Sequence, residues 1–433
     1  MKELEQNKIT IFRGSHQIGG CSTEISTGRH RILIDFGANL PDYDNEGSMS
    51  DDELYNEVFE NENCDAVLFS HYHGDHIGLY KRIPRNIPLY IGSTAKKILE
   101  LLTEKLDRLP DNTETGLPII RSMNTYSPAK KLTFGDIQVT PFVVDHSALD
   151  AYMFLIEAGG KRILFTGDFR DHGIAGEYNA LEKTVKAYIG KVDILITEGT
   201  MLSRVGETDS DPIRTEEELG RRARELFLKN KISVILVSST NLDSIMEFYH
   251  ALPCEMGFVC DAYQAKVMLT AMSDKGRYYD RYNPELTDGK PRRLYIVGNM
   301  EGLGEEQNCY EANFSVLIKK GFTLLVRENN PMFRNILAKL PDPLMIYSKW
   351  TGYLEGKHAS PAIQELIKGH RMEKLHTSGH AYVETIAKLI KLTNPKTIIP
   401  MHTECADDFA KLPEFSEFND RVRVLSDMEP YYF

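Results

Sequence analysis

The stretch SHYHGDHIG, residues 70–78, decides how the rest of this chain is read. It follows the apolar run AVLF and therefore sits on the loop that leaves a strand. His71, His73, Asp75 and His76 place three imidazoles and a carboxylate within six residues. Crowding such groups costs solvation and like-charge energy unless a cation gathers them. The alternative is a polar, solvent-facing loop that happens to be rich in histidine.

Working outward, the same kind of side chain recurs where other apolar runs end. Asp35 closes RILID, His146 closes FVVDH, Asp168 closes RILFTGD and His402 closes TIIPMH. Singly, each has an ordinary explanation, since Asp near glycine forms turns and a strand-end histidine is commonly just hydrogen-bonded. Their shared position at strand ends, like that of HYHGDH, makes them candidates together.

The first two hundred residues read as a succession of strands: KITIFRG, STEISTG, RILIDFG, AVLFSHYH, PLYIGS, IQVTPFVVDHS, YMFLIEAGGKRILFTGD and VDILITEGT. Helix-like AKKILELLTEKLD interrupts them, and GGKR signals a hairpin. The acidic stretch 42–65 reads as a solvated loop with a short helix. From about residue 210 strands and helices alternate, as in RTEEELGRRARELFLKN, ISVILVSST and NLDSIMEFYHAL, which implies a parallel, helix-covered sheet. After His380 come a helix (YVETIAKLIKL), the strand TIIPM and a final expected strand, RVRVLSD.

At 433 residues the chain calls for two or three domains. Six scattered cysteines without a C-x-x-C pair read as buried reduced thiols rather than disulfides or a structural zinc knuckle. No apolar run is long enough to span a bilayer, and the N-terminal residues lack a signal-peptide apolar region. The expected location is the cytoplasm, with no membrane partner. A net charge of −12 argues against a protein that coats duplex nucleic acid, but leaves room for a local cationic groove.

SHYHGDHIG, DHSALDAY, FTGDFRDHG, TSGHA and PMHTE stand in the order seen in the metallo-β-lactamase superfamily. TSGHA followed by MHTE resembles its β-CASP branch more specifically, that of the ribonuclease J-like and mRNA 3′-end endonuclease-like metallonucleases. The resemblance implies an α/β fold: an αββα sandwich formed by 1–204 and 361–433, with a β-CASP α/β domain inserted at 205–360. It implies two divalent metal ions, zinc first and manganese as the alternative. His71, His73 and His146 would hold one, and Asp75, His76 and His402 the other, with Asp168 bridging. Asp35 would orient ligands or water, and His380 would give a proton to the leaving oxygen. Glu198, in TEGT, matches the acid that supports this histidine, although the Tyr-Gly that often follows it is absent and Thr200 leads into Met201. Ser238, Ser239 and Thr240 of SSTN match a family element for phosphate binding, and an ordinary helix cap fits them equally.

The expected activity is hydrolysis of RNA, single-stranded rather than duplex, by a metal-activated water. One rival is a small-molecule ester or thioester hydrolase of the same superfamily, against which the inserted domain and His380 speak. A non-catalytic partner is the other, against which the complete ligand set speaks.

Overall fold

The computed structural model describes residues 6–40, 48–60, 63–108, 115–205, 213–273 and 293–433. It divides into two compact units. One comprises Met1–Asp171, Ala175–Asp209 and Gly379–Phe433, and the other His172–Ile174 and Ser210–Ser378.

Two sheets build the first unit. Seven strands lie in the order Pro430–Tyr432, Lys8–Arg13, Ser22–Ser26, Arg31–Ile34, Ala66–Leu68, Leu89–Ile91 and Asn124–Thr125. Six lie in the order Thr397–Met401, Ile194–Glu198, Lys161–Phe165, Ala151–Ala158, Ile137–Val144 and Leu132–Phe134. Alternation along the strands turns Ile9, Ile11, Ile25, Ile32 and Ile34 of one sheet against Phe154, Ile156, Ile163 and Ile196 of the other, in one buried cluster. The outer face of the six-stranded sheet packs Met153, Leu155 and Leu195 against Ile386, Leu389 and Ile390 of the helix Val383–Thr393. On the seven-stranded side the helix Asp51–Phe59 buries Leu54, Val58 and Phe59, and the Phe59 ring meets Phe36 at 5.1 Å. These layers make the αββα arrangement. The GGKR turn is a hairpin: Ala158 pairs with Lys161, and Gly159 and Gly160 both take positive φ.

In the second unit the seven strands among the described residues are all parallel. Their order is Cys309–Glu311, Leu294–Val297, Gly257–Asp261, Phe322–Val326, Ile232–Val237, Leu344–Ser348 and Arg371–Lys374. Val234, Leu236, Leu324 and Met345 pack on Phe333 and Leu337 of one helix and on Ile363 and Leu366 of another. Residues of the opposite parity, such as Ile235 and Ile346, are buried as well. Continuous apolar strands are what a sheet covered on both faces requires.

Two expectations need correcting. RVRVLSD forms no strand, because Val422 makes only an isolated bridge to Ile398. Its apolar residues Val422 and Leu425 instead plug into the core, and the closing strand is Pro430–Tyr432, antiparallel to Lys8–Arg13. The inserted block does not stop at residue 360 either. Arg371–Lys374 adds to its sheet beside Leu344–Ser348, so the second unit runs to Ser378. Of the acidic stretch, Asp51–Phe59 is helical, whereas 42–47 and 61–62 lie outside the described residues.

Candidate metal centre

The strands Arg31–Ile34 and Ala66–Leu68 run parallel in one sheet, and Lys161–Phe165, Ile194–Glu198 and Thr397–Met401 in the other. Asp35, the HYHGDH loop, Asp168, Glu198 and His402 all lie at the carboxyl ends of these strands, and His146 follows Ile137–Val144. Gly37 lets the Asp35 loop reach the HYHGDH loop, since a Cβ there would stand 1.7 Å from the Asp75 carbonyl oxygen. Phe36 N donates to His76 O at 2.8 Å and closes the same contact.

Asp168 is the meeting point. Its Oδ2 lies 3.2 Å from His76 Nε2, 3.8 Å from His71 Nε2 and 3.6 Å from His380 Nδ1, and its Oδ1 lies 3.8 Å from His402 Nε2. Asp75 Oδ2 is 3.7 Å from His76 Nε2 and 3.5 Å from His402 Nε2. His73 Nδ1 and His146 Nε2 stand 3.4 Å apart, and His71, His73 and His146 bring their donor atoms into one group.

Outer partners fix which imidazole nitrogen is free. His76 Nδ1 donates to Asp35 Oδ2 at 2.8 Å, and His146 Nδ1 donates to the Gly379 carbonyl at 2.6 Å. Ser70 Oγ donates to Asp35 Oδ2 at 2.7 Å and so accepts from His71 Nδ1 at 3.0 Å. Thr200 Oγ1 donates to His402 O at 3.3 Å and so accepts from His402 Nδ1 at 2.7 Å. In these four rings the proton sits on Nδ1, and the Nε2 lone pair is left to face the others. His76 Nε2 and His402 Nε2 stand 3.2 Å apart.

Lone pairs facing one another and a carboxylate are a poor arrangement without a cation. His71 Nε2 and Asp168 Oδ1 are buried without a hydrogen-bond partner, a cost of about 1–3 kcal/mol apiece. Burial drives the charged forms of His71 and His146 well down and brings His73 to about 4, so these rings are neutral donors. Burial would lower His76 too, but Asp168, Asp75 and Asp35 outweigh it and raise the group. Nitrogen and carboxylate donors in this number fit a divalent metal.

His380 joins the cluster beside Asp168 and has a carboxylate partner of its own. It follows Gly379 just before the helix Val383–Thr393, and its Nδ1 lies 3.0 Å from Glu198 Oε2. Glu198 Oε1 accepts from Phe169 N at 2.9 Å, which ties it to the residue after Asp168. Burial pulls His380 down, while Glu198 and Asp168 outweigh that and hold its pKa above the ordinary value.

Sequence reasoning missed several supports. Arg170, fully buried, donates from Nε to Asp145 Oδ1 at 3.1 Å and pins the His146 loop to the Asp168 loop. Ser70, Thr200 and the Gly379 carbonyl were missed as well; nothing in their local sequence marks them. Ser238, Ser239 and Thr240 lie in the second unit, at the end of Ile232–Val237. Asn241 takes the cap there, accepting from Ser244 N, and the hydroxyls of Ser238 and Thr240 meet at 3.1 Å on the open side.

A family model described as a β-lactamase superfamily domain matches residues 30–250, about half of the chain. The chain belongs to the metallo-β-lactamase superfamily. A second, a Zn-dependent metallo-hydrolase RNA specificity domain, matches 367–425, the part that carries His380 and His402 in the β-CASP branch. Ribonuclease J of Synechocystis sp. is 25% identical over 424 residues, covering 92% of this chain and 60% of its own length. Ribonuclease J 1 of Streptococcus pyogenes is 29% identical over 436 residues, covering 93% of this chain and 70% of its own length. The chain thus spans about three fifths of the length of the Synechocystis protein. A crystal structure of a protein of unknown function from Enterococcus faecalis shares the fold over 99% of the chain, with a TM-score of 0.76 at 23% identity. Metallo-hydrolases of this family bind divalent metal, and the cluster around Asp168 fits one. Among the described residues no helix is long and apolar enough to cross a membrane.

Proposed function

We propose that this chain hydrolyses phosphodiester bonds of RNA at the Asp168 centre. The observation that carries this reading is the pairing of a metal-type cluster with a separate imidazole, His380, held by Glu198 at 3.0 Å and by no other carboxylate closer. A thioester hydrolase has less need of that pair, because a thiolate leaves unprotonated whereas the alkoxide leaving a phosphodiester requires an acid. The match to an RNA specificity domain over the segment carrying His380 supports RNA as the substrate.

His71, His73 and His146 would hold one ion and Asp75, His76 and His402 a second, with Asp168 shared; zinc is the first choice and manganese the alternative. Bound there, a divalent pair supplies a deprotonated water and neutralises charge on the phosphate oxygens. The remaining work belongs to the chain. Asp35, Ser70, Thr200 and Gly379 keep each imidazole in one tautomer and orientation. Glu198 accepts from His380 Nδ1, so Nε2 can carry the proton that the departing oxygen takes. Ser238, Ser239 and Thr240 offer hydroxyls to a backbone phosphate, and single-stranded RNA in the cytoplasm is the substrate this reading favours.

The test is elemental analysis of gently purified protein. About two divalent ions per chain are expected, with loss of at least one in Asp168→Ala. Unchanged occupancy in that variant would remove Asp168 as the shared ligand.

A further inference from the structure

The sequence reading treats all six cysteines as buried spectators. Cys254 is exposed and Cys405 partly so, while Cys21 is buried in the metal centre itself. Its Sγ lies within 4.8 Å of the donor nitrogens of both His76 and His402. We propose that Cys21 Sγ is a further donor to the ion held by His76 and His402, and that it biases the centre towards zinc over manganese. This rests on the metal-centre reading given above.

The sulfur is placed by the same backbone that places the other donors. Cys21 N donates to Asp75 O at 3.0 Å, and Cys21 O accepts from Gly37 N at 3.0 Å, so the residue is stitched to both the HYHGDH loop and the Asp35 loop. On its other side His402 N donates to Gly14 O at 2.7 Å. Gly14 has φ +108, and a Cβ there would come 3.0 Å from Cys21 Sγ. A side chain at position 14 would therefore press on the sulfur beside the His402 loop. Arg13, wholly buried, donates to Gly20 O at 2.8 Å and to Gly37 O at 2.6 Å, and so holds the turn on which Cys21 sits.

Sulfur at about 2.3 Å and nitrogen at about 2.0 Å from one zinc lie roughly 3–3.5 Å apart. Since the sulfur lies within 4.8 Å of both nitrogens, it needs a shift of at most about 1–2 Å to bind. On binding, the S–H proton leaves to solvent and a thiolate–metal bond forms. Thiolate is a soft donor that suits zinc, whereas manganese is served by carboxylate and water oxygen. One sulfur among nitrogen and carboxylate donors thus supplies the selectivity that imidazole and carboxylate alone leave open.

The experiment loads the full chain with cobalt(II) and reads two signals. Visible d–d bands report any ion bound at the histidines and carboxylates, and a near-ultraviolet sulfur-to-cobalt band reports the thiolate. Both are expected in the wild type, with the sulfur band lost and the d–d bands kept in Cys21→Ser. Competition between equal zinc and manganese should show the zinc preference falling roughly tenfold or more in that variant. Wild-type d–d bands without a sulfur band would overturn this inference and leave the metal centre standing, whether or not Cys21→Ser folds. A sulfur band that survives Cys21→Ser would assign it to another cysteine and overturn it equally. No cobalt bands at all would sink the metal centre together with the inference.

Discussion

Asp35 and His402 both sit in left-handed backbone, at φ +63 and +52, a conformation that non-glycine residues adopt at a cost of order 1 kcal/mol or more. Each is the first residue past its strand, and the reversal turns its side chain into the Asp168 cluster instead of continuing the pleat. On the proposed reading His380, held by Glu198, gives a proton to the leaving oxygen and does not hold a metal. His380→Ala is therefore expected to keep its metal while RNA cleavage falls roughly a hundredfold or more, the scale of general acid–base catalysis. Single-turnover cleavage and metal content measured on one preparation check this. Wild-type cleavage, or loss of metal, would remove the assigned role. At this scale the sequence was informative because HYHGDH is dense and because each other candidate ends an apolar run. It was silent on Thr200, 202 residues from His402, and on Cys21, whose neighbours in space come from three other loops.

Between residues and the whole lie the strand ends and the helices that steady them. The helix Ser93–Leu106 starts at Gly92, which has no side chain to cap it. Asp150 supplies the cap from another loop, its Oδ2 accepting from Thr94 N at 2.8 Å and Ala95 N at 3.1 Å. Asp150 lies four residues beyond His146, so the cap also tethers the loop that presents this histidine. Asp150→Ala should lower the opening free energy of that helix by about 1 kcal/mol. Faster amide hydrogen exchange across 93–106, with exchange in Val383–Thr393 unchanged, is the expected outcome. Uniform acceleration in both helices would mean that the cap is not a local device. Most strands could be read from their apolar runs, and the GGKR hairpin from its glycines. RVRVLSD misled because Val422 and Val424 alternate with arginines as strand residues do, yet Val422 and Leu425 are buried as plugs with almost no ladder. The inserted block was read as ending too early because Arg371–Lys374 (RMEK) is largely polar, an edge strand with no apolar run to announce it.

Across the whole molecule the question is how a chain of net charge −12 holds a polyanion. Long-range repulsion opposes RNA, so on the proposed reading binding would rest on short-range contacts, from cations held at the Asp168 centre and a small number of Lys or Arg side chains. Among the described residues Arg13, Arg31, Arg170, Arg327, Lys349 and Lys396 are paired with carboxylates. Each phosphate contact adds about −0.7 to the slope of log affinity against log salt for a single strand. The expected slope corresponds to about two to four contacts, with short single strands bound better than long duplex. Binding of labelled RNA to metal-loaded His380→Ala protein over a salt series measures it without cleavage of the probe. A slope worth about eight contacts, or tight duplex binding, would require an extended basic face and contradict this account. Absence of RNA binding at every salt concentration, together with brisk hydrolysis of a simple ester by the wild type, would transfer the Asp168 centre to small-molecule chemistry and leave His380 and Glu198 without their proposed work.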